Sequence, residues 1–341
     1  MRAVGLFTHG GPDVLQVVEV PEVHAGPGQV RIRVHAATVN PTDVGVRNGT
    51  RAEQQKADPP PYVPGMEAAG IVDEVGSGVP DRLKLGDAVM AIVVPKGSHG
   101  AYREQIVLDA RSVARAPAGK THAEACTLPM NGLTARQSLD LLKLSSGQVI
   151  AVTGAAGAYG GYVVQLAKAE GLTVIADASE KDEKLVASLG ADIVVRRGDD
   201  VASRIRGRFP QGVDGLADGA VLKELVIPAV RDGGSFTSVR GFQGIPQRNI
   251  HFTATSVRSY AQEFEKLDRR LRTGRSRPSS GSPACPPGLE LDDQPSSRTT
   301  SLQPTMGVRR SFRRIDLCHA KRDFARFDLL PEPILPDLGR P

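Results

Sequence analysis

The first part of the chain alternates apolar and polar residues in short runs, as half-buried β-strands do. In QVRIRVHAATVN, the apolar residues that share one face are Val30, Ile32, Val34 and Ala36. Further short strands are predicted within residues 68–79 and 86–94. The proline-rich stretch ADPPPYVPG (57–65) cannot form a helix and is predicted to be a stiff loop. Residues 1–120 are therefore predicted to form a β-rich domain.

Beyond about residue 121 the pattern changes to strands that alternate with helices. The first such unit is a strand at 149–153, a glycine-rich loop at 154–160 and a helix at 161–170. The pattern continues with the strand LTVIADAS, a helix that ends at Gly190, the strand IVV and the strand GVDGLADG. A helix is then predicted in AVLKELVIPAV and a strand in GGSFTSV. This alternation predicts a doubly wound parallel sheet over residues 121–268.

The last part of the chain, residues 269–341, has a different composition. Its final 70 residues contain 10 of the 25 prolines, together with 11 arginines and 8 serines. Such segments seldom form a packed core. Two explanations stay open for this atypical tail: a shift of reading frame near residues 268–273 of a G+C-rich gene, or a genuine disordered basic extension.

Charge and composition exclude several classes of function. The net charge is +5, but the last 70 residues carry +4 of it, so the other 271 residues are nearly neutral and present no nucleic-acid surface. Aromatic residues make up only 4% and Trp is absent, which argues against stacking on single-stranded nucleic acid. Neither a membrane-spanning run nor a signal-peptide core is found, and the three cysteines are far apart. These features predict a cytoplasmic protein without disulfides.

The glycine bend carries the clearest chemical signal. Gly154, Gly157 and Gly160 stand between a predicted strand and a predicted helix. The first glycine permits a tight turn, the second lets the backbone approach a pyrophosphate, and the third lets the helix pack on the strand. The bend, which also contains Ala155, Ala158 and Tyr159, is predicted to bind a dinucleotide at the helix N-terminus. The alternative is a flexible turn, but the flanking strands and helix favour the dinucleotide site.

The type of dinucleotide is left open by the residues that follow the second strand. Asp177 would hydrogen-bond a ribose 2′-hydroxyl and so favour NAD. Ser179 and Lys181 would accommodate a 2′-phosphate and so favour NADP. Asp177 could instead cap the next helix, with Lys181 in solvent.

Seven stretches, in this order, resemble one known family. They are AATVNPTDVGVRNG (36–49), VPGMEAAGIVDEVGSGV (63–79), GDAVMA (86–91), GAYREQIVL (100–108), LPMNGLTA (128–135), GAAGAYGG (154–161) and LGAD (189–192). Residues 1–268 resemble the medium-chain dehydrogenase/reductase superfamily, in particular its zinc-free quinone oxidoreductase branch. The resemblance implies an α/β fold, with a GroES-like β-barrel catalytic domain joined to a Rossmann domain. It also implies NADPH as the usual hydride donor and is compatible with a homodimer.

Zinc-dependent relatives carry Cys where this chain has Asn40 and His where it has Met66. Asn is a poor zinc ligand, Met is a soft one, and Glu67 alone cannot complete a tetrahedral site, so no zinc is expected. The resemblance places Asn40 and Asp43 in the cleft that faces the nicotinamide. Asn40 could donate to a substrate carbonyl, and Asp43 could orient Asn40, hold Arg47 or relay a proton. A turn formed by NPTD explains both residues equally well.

Four further residues are implicated. Tyr62 could supply a phenolic hydroxyl or simply cover the mouth of the pocket. By resemblance, Thr134 lies near the nicotinamide, and Arg240 and Gly241 follow a late strand where relatives contact the carboxamide through backbone groups. Thr134 could equally be a hydroxyl at the start of a helix.

Together these features predict an NAD(P)H-dependent oxidoreductase, with NADP(H) favoured, that transfers hydride to a small quinone or α,β-unsaturated carbonyl without a metal. One alternative is a zinc-type alcohol dehydrogenase, which Asn40 and Met66 oppose. The other is an inactive nucleotide-binding protein whose C-terminus has been disrupted. Neither a nucleic acid nor a membrane is an expected partner.

Overall fold

The structure is a computed structural model that describes residues 1–242 and 244–255, together with the backbone of 316–317. Apart from those two residues, the atypical tail at 269–341 lies outside the described residues. The two-residue strand 316–317 runs parallel to residues 36–37.

The described chain contains fourteen strands and seven α-helices. The strands are β1 (Arg2–Gly5), β2 (Gln16–Glu19), β3 (Gln29–Ala37), β4 (Glu67–Val75), β5 (Ala88–Ile92), β6 (Gln105–Asp109), β7 (Val113–Arg115), β8 (Val149–Thr153), β9 (Thr173–Ala178), β10 (Ile193–Arg196), β11 (Val213–Asp218), β12 (Val230–Ser238), β13 (His251–Ala254) and β14 (Asp316–Leu317). The helices are α1 (Pro41–Asn48), α2 (Ala52–Gln55), α3 (His122–Ala125), α4 (Pro129–Leu142), α5 (Ala158–Ala169), α6 (Glu183–Ser188) and α7 (Val201–Arg208).

The N-terminal strands form a mainly antiparallel sheet. Its order is β14-β3-β4-β5-β7, and β6 also pairs with β3, while β1 and β2 form a separate two-stranded sheet. The predicted apolar face of β3 is confirmed, because Val30, Ile32, Val34 and Ala36 are all buried. The alternation in the sequence therefore marked the side of β3 that faces the core.

The second sheet is wholly parallel and has the strand order β10-β9-β8-β11-β12-β13. The chain leaves β8 first toward β9 and β10 and then returns on the other side through β11, β12 and β13. Ligands of doubly wound sheets bind at the carboxyl ends of the strands where this direction reverses. Here the reversal lies between β8 and β11, so the glycine bend after β8 occupies the expected crevice.

Two predicted helices differ from the structure. The helix predicted at 161–170 begins at Ala158, because Gly157 serves as its N-cap. The helix predicted in AVLKELVIPAV is wrong: two single 3-10 turns, Lys223–Leu225 and Ile227–Ala229, stand there instead. Val221 and Lys223 both adopt left-handed backbone angles, with φ of 59° and 55°, which no α-helix accommodates.

Helix α4 lies where the two sheets meet. It packs on α5, β11, β12 and β13 of the parallel sheet and also contacts β5 of the antiparallel sheet. Helix α4 therefore links the two halves of the molecule.

Across residues 1–242 and 244–255 the structure has no helix that is both long and apolar enough to cross a bilayer.

Candidate functional site

The glycine bend is a tight turn that leaves no room for a side chain at Gly154 or Gly160. Gly154 has a left-handed φ of +67°, and a Cβ there would lie 3.0 Å from backbone atoms of Gly219 and Ala220. A Cβ on Gly160 would lie 2.3 Å from the carbonyl oxygen of Gly154. The start of α5 therefore packs directly on the turn, as the spacing of the glycines predicts.

The N-terminus of α5 opens from this turn. The backbone N–H of Gly157 donates to the Gly154 carbonyl at 2.9 Å, and no side chain of the described residues caps the helix there. The N–H groups of a first helical turn lack intrahelical acceptors and carry a partial positive charge. Those of Ala158, Tyr159 and Gly160 thus fit the diphosphate of a dinucleotide cofactor.

The side chain of Tyr159 connects the turn to α4. Its hydroxyl lies 2.7 Å from Ser138 Oγ, and Ser138 Oγ also donates to the Thr134 carbonyl at 2.9 Å. The helix that carries Thr134 is thereby joined to the glycine turn.

Asp177, at the end of β9, lies beneath the turn and is 5% exposed. Its Oδ1 accepts the backbone N–H of Ala155 at 3.2 Å. Burial raises the pKa of Asp177, although the backbone N–H bonds and the charge of Arg197 act in the opposite direction. Asp177 therefore supports the conformation of the turn, in addition to any contact with a ribose.

Ser179 and Lys181 follow Asp177, but they face different surroundings. The Ser179 hydroxyl donates to Asp182 Oδ2, whereas the Lys181 side chain is exposed. Two basic residues on the neighbouring strand end, Arg196 and Arg197, were missed by the sequence analysis. The backbone N–H of Arg197 donates to the Ala178 carbonyl at 2.9 Å, which places Arg197 beside the end of β9. Two consecutive arginines directly after the third strand were the signal that could have identified them.

The second polar cluster is centred on the carboxylate of Glu67, a side chain with 0% exposure on β4. Asn40 Nδ2 donates to Glu67 Oε2 at 2.8 Å and lies 3.0 Å from Thr38 Oγ1. The Thr38 hydroxyl also donates to Oε2, and the backbone N–H of Met130 donates to Oε1 at 2.7 Å. We call these four residues, Thr38, Asn40, Glu67 and Met130, the Glu67 network. Burial raises the pKa of Glu67, and its hydrogen bonds counteract that rise.

Asp43 lies beside the Glu67 network at the start of α1. Its Oδ2 accepts the backbone N–H of Asn40 at 2.8 Å, and its Oδ1 accepts that of Gly65 at 2.9 Å. Burial raises the pKa of Asp43 to about 7, and the nearby charge of Glu67 adds to the rise. Asp43 therefore binds a proton at a much higher pH than an exposed aspartate does.

Tyr102 is a further buried member of this region that the sequence analysis did not single out. Its hydroxyl donates to the Thr38 carbonyl at 3.0 Å. Burial raises the pKa of Tyr102 well above its ordinary value, and the charges of Asp43 and Glu67 contribute. Its place in the motif GAYREQIVL gave no chemical signal, because the contact depends on the packing of distant strands.

The remaining predicted residues lie apart from the Glu67 network or at its margin. Tyr62 is half-buried, donates to the Asp58 carbonyl at 3.2 Å and stacks on His9 with ring centroids 5.5 Å apart. The Thr134 hydroxyl donates to the Met130 carbonyl at 2.6 Å, one turn back in α4. Arg240 and Gly241 follow β12 in left-handed conformations with φ of 62° and 79°.

The positions that bind zinc in zinc-type relatives do not suit that ion here. The amide nitrogen of Asn40 donates hydrogen bonds to Thr38 and Glu67. Met66 is a buried thioether. Both oxygens of Glu67 already accept hydrogen bonds. Within the described residues, no three His, Cys, Asp or Glu side chains come together as a metal-binding group. The donor set thus lacks the thiolates and imidazoles that zinc prefers.

Comparison with known proteins identifies the domain type and the relatives. The family profile of the alcohol dehydrogenase GroES-like domain matches residues 26–118. The chain is 32% identical over 289 residues to the chloroplastic NADPH-dependent alkenal/one oxidoreductase of Arabidopsis thaliana, an alignment that covers 82% of this chain and 71% of the relative. It is 34% identical over 198 residues to the quinone oxidoreductase of Rattus norvegicus, covering 56% of this chain and 57% of the relative.

Among solved structures, the quinone oxidoreductase from Coxiella burnetii superimposes with a TM-score of 0.67 at 27% identity. The superposition covers 81% of this chain and 89% of that one. The predicted α/β fold, a GroES-like part with a doubly wound parallel sheet, is thereby confirmed. The chain belongs to the medium-chain dehydrogenase/reductase superfamily and is an oxidoreductase.

Proposed function

We propose that this oxidoreductase uses NADPH to reduce α,β-unsaturated carbonyl compounds and quinones without a bound metal. The observation that carries the proposal is the arrangement of α4 between a dinucleotide-binding turn and the Glu67 network. Ser138 on this helix contacts Tyr159 of the turn, and Met130 at its start contacts Glu67. The named activities of the Arabidopsis thaliana and Rattus norvegicus relatives support the same reaction class.

The chain's own residues suit the binding of a nicotinamide dinucleotide. The N–H groups at the start of α5 would bind the diphosphate, and Gly154 and Gly160 leave space for its approach. Ser179, Lys181 and Arg197 stand around the end of β9, where a 2′-phosphate would lie. The positive charges of Lys181 and Arg197 favour NADPH over NADH, while Asp177 accepts a hydrogen bond from the backbone of the turn. When bound, the cofactor supplies the hydride.

On the substrate side, enones and quinones need modest activation. Hydride addition leaves negative charge on a substrate oxygen, and preorganised hydrogen-bond donors can stabilise that charge. Asn40 is the predicted donor, but its amide nitrogen is occupied by Thr38 and Glu67. To serve this role, Asn40 would have to release its 3.0 Å contact with Thr38 when substrate binds.

Asp43 is proposed to hold the proton that the reduced substrate takes up. Its pKa of about 7 keeps a substantial protonated fraction near neutral pH. General acids are most effective when their pKa lies near the working pH. Thr134 and Tyr62 are proposed to line the cleft, and Arg240 and Gly241 to contact the carboxamide through the backbone.

The test is to follow NADPH and NADH oxidation by the full chain against a panel of quinones and enones, with and without a chelator. The proposal expects turnover with NADPH that the chelator does not reduce, and metal analysis of the purified protein without stoichiometric zinc. Tight NADPH binding without turnover on any member of the panel would overturn it in favour of a nucleotide-binding protein. Turnover that the chelator abolishes would favour a zinc-type alcohol dehydrogenase.

A further inference from the structure

Glu67 connects the two walls of the proposed cleft. Its Oε2 accepts hydrogen bonds from the turn that precedes α1, through Asn40 Nδ2 at 2.8 Å and the hydroxyl of Thr38. Its Oε1 accepts the backbone N–H of Met130 at 2.7 Å, in the first turn of α4. One fully buried carboxylate therefore holds together a segment of the antiparallel sheet and the helix that packs on the parallel sheet.

The bonding pattern of Glu67 is that of an ionised carboxylate. All three of its partners in the described residues are donors, and one of them lies at a helix N-terminus, where a negative charge is favourable. A carboxylate in this position also fixes the orientation of the Asn40 amide. If the Asn40 side chain were turned over, its oxygen would face an anionic oxygen, so the nitrogen must point toward Glu67.

The same contacts extend to Thr134. Met130 donates its N–H to Glu67, and its carbonyl accepts the Thr134 hydroxyl at 2.6 Å. Hydrogen bonds therefore connect Glu67 to Asn40 in one direction and, through Met130, to Thr134 in the other.

We infer that Glu67 is a positioning residue, whose buried carboxylate sets the orientation of Asn40 and the placement of the α4 N-terminus where zinc-type relatives use metal ligands. The inference rests on the proposed function for its kinetic consequence. It assigns to hydrogen bonds the organising role that metal–ligand bonds have in a zinc site.

Glu67→Gln is the sharpest perturbation, because the side chain keeps its size. If the Gln oxygen accepts the Met130 N–H, its NH₂ group faces the Asn40 nitrogen, and the Asn40 amide must turn over. If the Gln is reversed, its NH₂ group faces the helix N–H of Met130, which cannot turn. Both arrangements break a contact that Glu67 makes in the wild-type chain.

The first readout is a double-mutant cycle with Asn40→Ala, measured as NADPH-dependent enone reduction. Glu67→Gln is expected to lower kcat by about tenfold or more, with a change of less than about threefold in the KM for NADPH. The double variant is expected to lose little beyond the more severe single variant, because residues that act as one unit are not additive. Glu104→Gln is the matched control, since this carboxylate lies in the same sheet region and pairs with Arg2 away from the cleft.

The second readout does not depend on turnover. The side-chain amide NMR signal of Asn40 is identified by its absence in Asn40→Ala. It is expected to shift strongly in Glu67→Gln and to stay in place in Glu104→Gln. Thermal unfolding checks that each variant is folded, and Glu67→Asp, which keeps the charge, is expected to recover part of the lost rate.

Different results separate the two proposals. An inactive wild-type chain would overturn the proposed function, while the Asn40 signal would still decide whether Glu67 orients Asn40. An active wild type would leave the proposed function standing. The positioning role would then be overturned by a Glu67→Gln variant with wild-type kcat and an unmoved Asn40 signal, or by losses that simply add in the double variant.

Discussion

The glycine turn and the Glu67 network are built from different parts of the chain. The turn presents backbone N–H groups, and its glycines keep the backbone accessible. A Cβ at Gly160 would lie 2.3 Å from the Gly154 carbonyl oxygen. The Glu67 network combines the side chains of Thr38 and Asn40, from the segment between β3 and α1, with the Glu67 carboxylate on β4 and the backbone N–H of Met130 in α4. A backbone site depends on the shape of one continuous segment, whereas the network depends on distant segments meeting correctly.

The difference also extends to electrostatics. The start of α5 carries a partial positive charge, which suits the anionic cofactor proposed above. The Glu67 network and Asp43 bring two carboxyl groups into a dry region, where burial raises the pKa of both. The glycine turn therefore suits an anionic ligand. In the Glu67 network, by contrast, burying a carboxylate costs free energy, which its hydrogen bonds offset.

The largest expected effect concerns Asp43 and pH. The pKa of Asp43 is 3.8 in its ordinary state and about 7 in the folded protein. At pH values between 3.8 and about 7, Asp43 keeps its proton in the folded state but has lost it in the unfolded state. Asp43 contributes stability that is fully present below 3.8 and is lost as the pH rises through about 7. The loss is on the order of 4 kcal/mol, since one pKa unit corresponds to about 1.4 kcal/mol.

The measurement is the free energy of unfolding from pH 4.5 to 8 in the wild type and in Asp43→Asn. The variant is expected to show a flatter dependence, although the raised pKa values of Glu67 and Asp177 leave part of the slope. Asp109→Asn serves as control, because Arg111 holds the pKa of Asp109 below its ordinary value and outside this range. Equal slopes in the wild type and Asp43→Asn would contradict the prediction.

The second prediction concerns the glycine turn. Gly160→Ala is expected to weaken NADPH binding by about a hundredfold, because the new methyl group must displace the backbone of Gly154. Gly207→Ala in α7 is the matched control, since a Cβ there meets no atom within 4 Å. Calorimetric titration of both variants with NADPH measures the difference. Equal affinities would show that the turn does not contact the cofactor.

A smaller effect is expected at the edge of the turn. Arg197→Ala is expected to raise the KM for NADPH by about tenfold, roughly 1.4 kcal/mol, through the loss of one charged contact to the 2′-phosphate. The KM for NADH should stay nearly constant, because NADH lacks that phosphate. Arg111→Ala, which removes a surface arginine paired with Asp109, provides the control. A parallel rise for both cofactors would argue that Arg197 acts on Asp177 and the turn instead.

The smallest effect is expected at Tyr62. Its hydroxyl donates to the Asp58 carbonyl, so Tyr62→Phe should cost about 1 kcal/mol of stability through the lost hydrogen bond. If Tyr62 only covers the cleft, kcat should change by less than about threefold, because its hydroxyl does not contact the reacting atoms. A much larger fall in kcat, with stability unchanged, would make its hydroxyl a catalytic group. Steady-state kinetics and thermal unfolding of the same preparation distinguish these results.

The sequence predicted the parallel sheet well because each unit of it is local. The strand at 149–153, the glycine spacing and the following helix all lie within about twenty residues, and their periodicity reflects direct neighbours. The helix predicted in AVLKELVIPAV failed because a polar side chain just before this stretch binds its first backbone N–H groups. The carboxylate of Asp218 accepts the N–H groups of Leu222 and Lys223 at 3.1 and 2.9 Å and so favours a capped turn there.

By itself, the sequence determined the two kinds of sheet, the glycine turn and the residues that occupy the zinc positions, because these depend on short-range spacing and on residue type. Only the tertiary structure decided that Glu67 joins Asn40 to Met130, that Asp43 is buried with a pKa of about 7, and that Arg197 lies beside the end of β9. Burial and hydrogen bonding between segments that are up to 63 residues apart set these properties. No local sequence pattern predicts them, because the burial of a side chain and its hydrogen-bond partners are set only when the chain folds.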